Sequence, residues 1–162
     1  MRTGFFVMFL IVCLSCNAQV SPSQFPRTKY QLVLPDSSFH INHDSSGFFS
    51  KSYQSKIEMV MEDFAGQDYP TLVEMMLMEM SRPGQTILLD KKLEKMRLFK
   101  TKVDFDITDN KPAEKGRSNI LWVLIYNEND RPVIITGEYN FILDNELGDR
   151  FLNSLSSFQK IK

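Results

Sequence analysis

The stretch ILWVLIY, residues 120–126, decides the fold. A strand with one wet face alternates apolar and polar side chains, and this run does not alternate. It is apolar at every position and rich in β-branched and aromatic residues. That is the pattern of a central strand covered on both faces. NENDR (127–131) then supplies a polar turn, and PVIITGEYNF (132–141) reads as a partner strand. A hairpin whose first strand is dry on both sides needs a layer of structure above the sheet and another below it.

The flanking sequence offers those layers. Ser55 to Phe64, SKIEMVMEDF, alternates: Ile57, Met59 and Met61 point one way, Lys56, Glu58 and Glu62 the other, as in a half-buried strand. Val103, Phe105 and Ile107 alternate with Lys102, Asp104 and Asp106 in the same manner. YQLVL (30–34) and TILLD (86–90) are further strand-like runs, and FHINHDSSGFF (39–49) carries a short extended piece and a turn around Ser45–Gly47. Residues 68–80 read as a helix, with Asp68 as N-cap and Pro70 in the first turn. A second helix is expected near the C-terminus, where Leu147, Phe151, Leu152, Leu155 and Phe158 recur at helical spacing and Asp144 or Asn145 stands as a cap. Consecutive strands joined by short turns predict an antiparallel sheet of about five to seven strands with helices packed on it, an α+β domain.

The chain has 162 residues, enough for one domain of ordinary size, and 43% of them are apolar. The formal net charge is -1, and no Lys/Arg stripe is interleaved with aromatics, so nucleic-acid binding is not expected. Arg2, the apolar run Phe5 to Leu14 and the small residues of SCNAQ form the three-part layout of a secretory signal peptide. The apolar run is too short for a stable membrane span. Residues 1–18 are therefore expected to be removed between Ala18 and Gln19, leaving a mobile leader over 19–29, a single globular domain over 30–162, and no transmembrane span. The alternative is lipid modification of Cys16, although the tetrad CLSC fits the lipobox pattern only at Ser15. Cys13 and Cys16 are the only two cysteines, so the exported chain has no disulfide, no thiolate zinc site and no thiol nucleophile.

The element order also resembles a known family. TILLDKKLEKM after a methionine-rich helix, the hairpin ILWVLIYNENDRPVIITGEYNF and the closing LGDRFLNSLSSF look like the PsbP/Mog-type α/β/α sandwich. Gly137-Glu138-Tyr139 and the Ser154 to Phe158 segment carry the likeness, which spans roughly residues 30–158. The resemblance implies an antiparallel sheet with helices on both faces. It also implies a binding or assembly module rather than an enzyme, and it assigns no functional residue.

Four groups of residues are candidates for function. EMMLMEM (74–80) is the first. Leu72, Val73, Met76, Leu77 and Met80 share one arc of about 140° and form a core stripe. Met75 and Met78 fall outside it, beside Glu74 and Glu79. The leading expectation is that another element covers them; the alternatives are an adaptable partner surface and Cu(I) ligation by thioethers. HINHD (40–44) contains both histidines, His40 and His43. On a strand they face opposite ways, so a joint metal site is not expected, and exposed polar residues around a turn are the simpler reading. Phe48 and Phe49 are adjacent and point to opposite faces of a strand. Core packing is the leading expectation, and the alternative is an exposed ring marking a contact patch, with Phe48 the candidate. Finally, Gly-x-Ser-x-Gly, His-Glu-x-x-His, a phosphate loop and a convincing Ser-x-x-Lys are all missing. No catalytic residue, metal or cofactor is therefore assigned. The sequence reads best as an exported, non-enzymatic binding or assembly module acting on an envelope protein, with a small-ligand or lipid carrier using a sheet–helix pocket as the alternative.

Overall fold

A computed structural model describes residues 21–42, 47–60, 67–104, 117–128 and 131–161. In chain order these form strands β1 (Ser23–Gln24), β2 (Tyr30–Leu32), β3 (Phe39–Ile41), β4 (Gly47–Ser50) and β5 (Ser55–Val60), helix α1 (Tyr69–Met80), strands β6 (Gln85–Lys92), β7 (Met96–Asp104), β8 (Ser118–Glu128) and β9 (Arg131–Asn140), a 3-10 turn (Phe141–Leu143), helix α2 (Asp144–Ser156) and strand β10 (Gln159–Lys160). Seven strands make one antiparallel sheet in the order β3-β4-β5-β9-β8-β7-β6. A small second sheet has the order β1-β2-β10. The fold is α+β, and the sheet has the largest number of strands expected.

β8 sits inside the large sheet, and its side chains divide between two cores, as its unbroken apolar run requires. Ile120, Trp122 and Leu124 face one side, where Leu147, Phe151 and Leu155 of α2 cover them. Val123 and Ile125 face the other, where they meet Leu72, Val73 and Met80 of α1 together with Phe99 and Ile134. One helix thus lies on each face. α1 begins as expected: the Asp68 carboxylate accepts from the Thr71 N–H at 2.8 Å, and Pro70 lies in the first turn, where it removes no intrahelical bond.

Gly137 shows why a strand this apolar contains a glycine. A Cβ there would lie 2.9 Å from the Phe151 ring, so the ring of α2 packs directly on the backbone of β9. The Phe151 ring also meets Tyr139 edge-on at 4.7 Å between centroids. The Gly-x-Tyr of residues 137–139 is therefore the seat of α2.

Two expectations are corrected. The leader over 19–29 is not mobile where it is described. β1 pairs with β2, and Phe25 is fully buried against Phe48 and Phe158. Burial of the Phe25 ring, together with the β1–β2 pairing and the Phe25 N–H bond to the Tyr30 carbonyl, offsets the entropy lost in ordering a Pro- and Ser-bearing segment. Nor does Asp144 or Asn145 cap α2. Asn140 caps the 3-10 turn instead, its Oδ1 accepting from the Ile142 N–H at 3.0 Å, and α2 continues from that turn without a side-chain cap of its own. Asp144 is used elsewhere, as described next.

Candidate functional site

An organised polar group lies between the sheet and the start of α2. Lys100 of β7 donates from Nζ to Asp144 Oδ2 at 2.7 Å and lies 2.6 Å from Oδ1. The Tyr139 hydroxyl donates to the same Oδ1 at 2.7 Å and accepts from the Trp122 indole N–H at 3.1 Å. The Lys100 ammonium also sits 5.5 Å from the centre of the Trp122 ring. Gly148, one turn into α2, leaves room for this pair, since a Cβ there would come within 3.1 Å of Asp144 Oδ1 and 3.4 Å of Lys100 Nζ. Burial pushes the Tyr139 phenol far above its ordinary range, and its bond to Asp144 pushes further in the same direction, against the Trp122 N–H. A phenol held neutral in this way is a donor and not a base. The group is a latch that ties the start of α2 to β7, β8 and β9.

Beside the latch is a solvent-open cleft of about 320 Å³. It forms at the end of the sheet where β4 turns into β5, β8 begins and β9 ends. Register explains its composition. His40, Phe49, Lys56, Glu138, Leu121, Thr101 and Ile87 lie in one row across all seven strands, each opposite the next. At one end of the row the side chains are polar or half-exposed. At the other, Leu121 packs beside the core under α1 and Thr101 is fully buried. Phe49, Lys56, Asn119 and Glu138 line the cleft with Tyr53, Gln54, Arg117, Tyr139 and Asn140. Lys56 bridges Glu58 at 3.0 Å and Glu138 at 3.8 Å, and the Asn119 amide donates to Glu138 at 2.7 Å. The Lys56 pKa is raised by the hydrogen bond to Glu58, partial burial opposing it.

A second cleft, of about 690 Å³, separates the leader from β3 and is lined by residues including Phe25, Arg27, Leu34, His40 and Phe48.

The outer surface of α1 is the third feature. Met75 is 42% exposed and Met78 is 69% exposed. The expectation that another element covers them is overturned. α1 lies over β6, β8 and β9 through Leu72, Val73 and Met80, and its opposite side meets solvent. β6, an edge strand beside it, adds exposed Ile87 and Leu88 at a break in its register with β7.

Phe48 is corrected as a contact candidate. It is 1% exposed, opposite Ile57 in the register, with its ring 5.0 Å from that of Phe25. Phe49, opposite Lys56, is the half-exposed member of the pair. His40 is exposed on β3. His43, Cys16, Ala18 and Gln19 lie outside the described residues. No group of three or more His, Cys, Asp or Glu side chains able to hold a metal occurs among the described residues, and no helix among them is long and apolar enough to cross a membrane.

The latch and the cleft are not legible in the sequence. Lys100 and Asp144 are 44 residues apart, and each reads locally as an ordinary surface charge. Neither a protein-family model nor a curated protein matches the chain.

Proposed function

We propose that the chain is an exported, non-enzymatic binding or assembly module that docks an envelope protein through the outer face of α1. The observation that carries this reading is the solvent exposure of Met75 and Met78 on a helix whose other side is firmly seated. Unbranched, polarisable side chains on a rigid support make an adaptable contact surface. Glu74 and Glu79 flank them on the same helix and supply a polar rim. Export rests on the Arg2, Phe5–Leu14 and Ala18 pattern of the sequence. Kinship with the PsbP/Mog-type sandwich belongs to the same proposal. An antiparallel sheet carrying one helix on each face supports it.

The alternative, a carrier with a pocket between sheet and helix, has less behind it. The two clefts described lie at the end of the sheet and under the leader, and neither is lined by a residue of α1 or α2. The first is lined by charged and amide side chains, the second mainly by Phe25, Leu34, Phe39, Ile41 and Phe48.

The test places a photo-crosslinking amino acid at position 78 of the full precursor in its native cells, with Asn153, exposed on α2, as the control position. One reproducible product from position 78 and none from 153 is the expected result. No product, or the same products from both positions, sinks the proposal. Mass spectrometry of the recovered chain also reads its first residue, Gln19 or a lipidated Cys16.

A further inference from the structure

We propose that the cleft between the β4–β5 turn and the ends of β8 and β9 binds a neutral saccharide. This site is separate from the α1 surface, and either reading stands if the other fails.

Charge excludes the simplest ligands first. Lys56 and Arg117 bring two positive charges to the lining and Glu138 brings one negative charge, while Glu58 holds Lys56 from the side at 3.0 Å. Lys56 is thus shared between two carboxylates, and no strong field of either sign is left for a small ion. Hydrogen-bonding capacity is plentiful and mixed. The Gln54 amide both donates and accepts. The Asn140 Oδ1 is taken by the Ile142 N–H and the Asn119 amide already donates to Glu138, so Asn140 offers its NH2 and Asn119 its carbonyl, while Glu138 accepts and Arg117 donates. A sugar's hydroxyl rim needs that mixture. Its C–H face needs an apolar plate, and Phe49 is such a ring, 39% exposed. The cleft, at about 320 Å³, is at the small end of ligand sites, which suits a ring-sized molecule and not a lipid tail.

An independent observation comes from the backbone. Gln54 has φ 51°, the left-handed region that a residue with a side chain enters at a steric penalty. Gly would make this turn without strain, and Asn with less. Strained positions of this kind gather where a side chain is needed in one place, and the residue here is among those lining the cleft.

Saturation-transfer NMR on the full folded domain, with glucose, N-acetylglucosamine, maltose and cellobiose each at ~10 mM, tests this, since an isolated shallow site binds in the millimolar range. Saturation of at least one sugar is expected. Phe49→Ala and Gln54→Gly are each expected to weaken it at least ~10-fold. Gln54→Gly is the decisive variant, because relieving the strain keeps or raises Tm while removing the amide. Should Phe49→Ala unfold, Gln54→Gly alone decides. No saturation of any of the four sugars overturns the proposal. So does saturation that survives Gln54→Gly unchanged, or binding of a free amino acid or organic acid in place of every sugar.

Discussion

Tyr139 joins three elements through one oxygen. It donates to Asp144 of α2, accepts from Trp122 of β8 and stands on β9 itself. Tyr139→Phe leaves the indole N–H and one carboxylate lone pair without that partner in a largely dry site. The expected loss is about 1–3 kcal/mol in urea unfolding at neutral pH. Its sign with pH is fixed by linkage. The folded state holds the phenol proton above the ordinary value of 10.0, so the contribution is complete below pH 10 and is lost as pH rises past it. Wild-type stability should therefore fall above pH 10, and the Phe variant should fall less steeply. Equal slopes in the two proteins would show that the phenol titrates freely. Gly-x-Tyr is visible in the sequence, but its meaning is not. That Gly137 is bare because Phe151 rests on it follows only from the approach of α2.

At the scale of elements, α1 separates support from surface. Leu72 is fully buried between α1 and the sheet, and Leu72→Ala is expected to lower stability by about 2–5 kcal/mol. Met78→Ala, on the opposite side, should change it by less than about 0.5 kcal/mol. Chemical denaturation of the two variants reads the contrast, and a large loss for Met78→Ala would mean the methionine is packed. Helical periodicity already separated these two classes, because 100° per residue is a property of the helix alone. What lay beyond periodicity was whether a neighbour would cover the second class. β4 shows the same limit. Alternation requires Phe48 and Phe49 to part, but the choice of the buried ring depends on register with β5, where Phe48 meets Ile57 and Phe49 meets Lys56.

Across the whole molecule, ion pairs tie together segments both distant and adjacent in the chain. Arg150 of α2 donates to Asp36 at 2.9 Å, and Arg97 grips Asp90 with two bonds of 2.6 Å across β7 and β6. Burial alone would raise the Asp36 pKa, yet the Ser38 hydroxyl and N–H together with Arg150 hold it below the ordinary 3.8. The Arg97 bonds lower Asp90 in the same way. Carboxylates lowered on folding stabilise the native state above their unfolded pKa, and that contribution is lost as pH falls through the folded value. Stability should hold steady above about pH 4 with respect to these groups and fall below it. Asp36→Asn and Asp90→Asn together should flatten that acid limb in a pH series of urea midpoints. An unchanged limb would show that both carboxylates are solvated as freely in the folded state as in the unfolded one.

By itself the sequence determined the α+β class, the alternation of β5, the two-sided burial of β8, the cap of α1 and the apolar spacing of α2. Each depends on neighbours within a few positions, and backbone geometry converts that spacing directly into faces. The tertiary structure alone decided that Phe25 folds into the core, that Phe48 is buried and Phe49 is not, and that Met75 and Met78 stay uncovered. It also brought Lys100 to Asp144 and placed Lys56, Glu138 and Gln54 around one cleft. These outcomes rest on which strands pair and in what register. Pairing energies arise between residues far apart in the chain, and no local pattern encodes them.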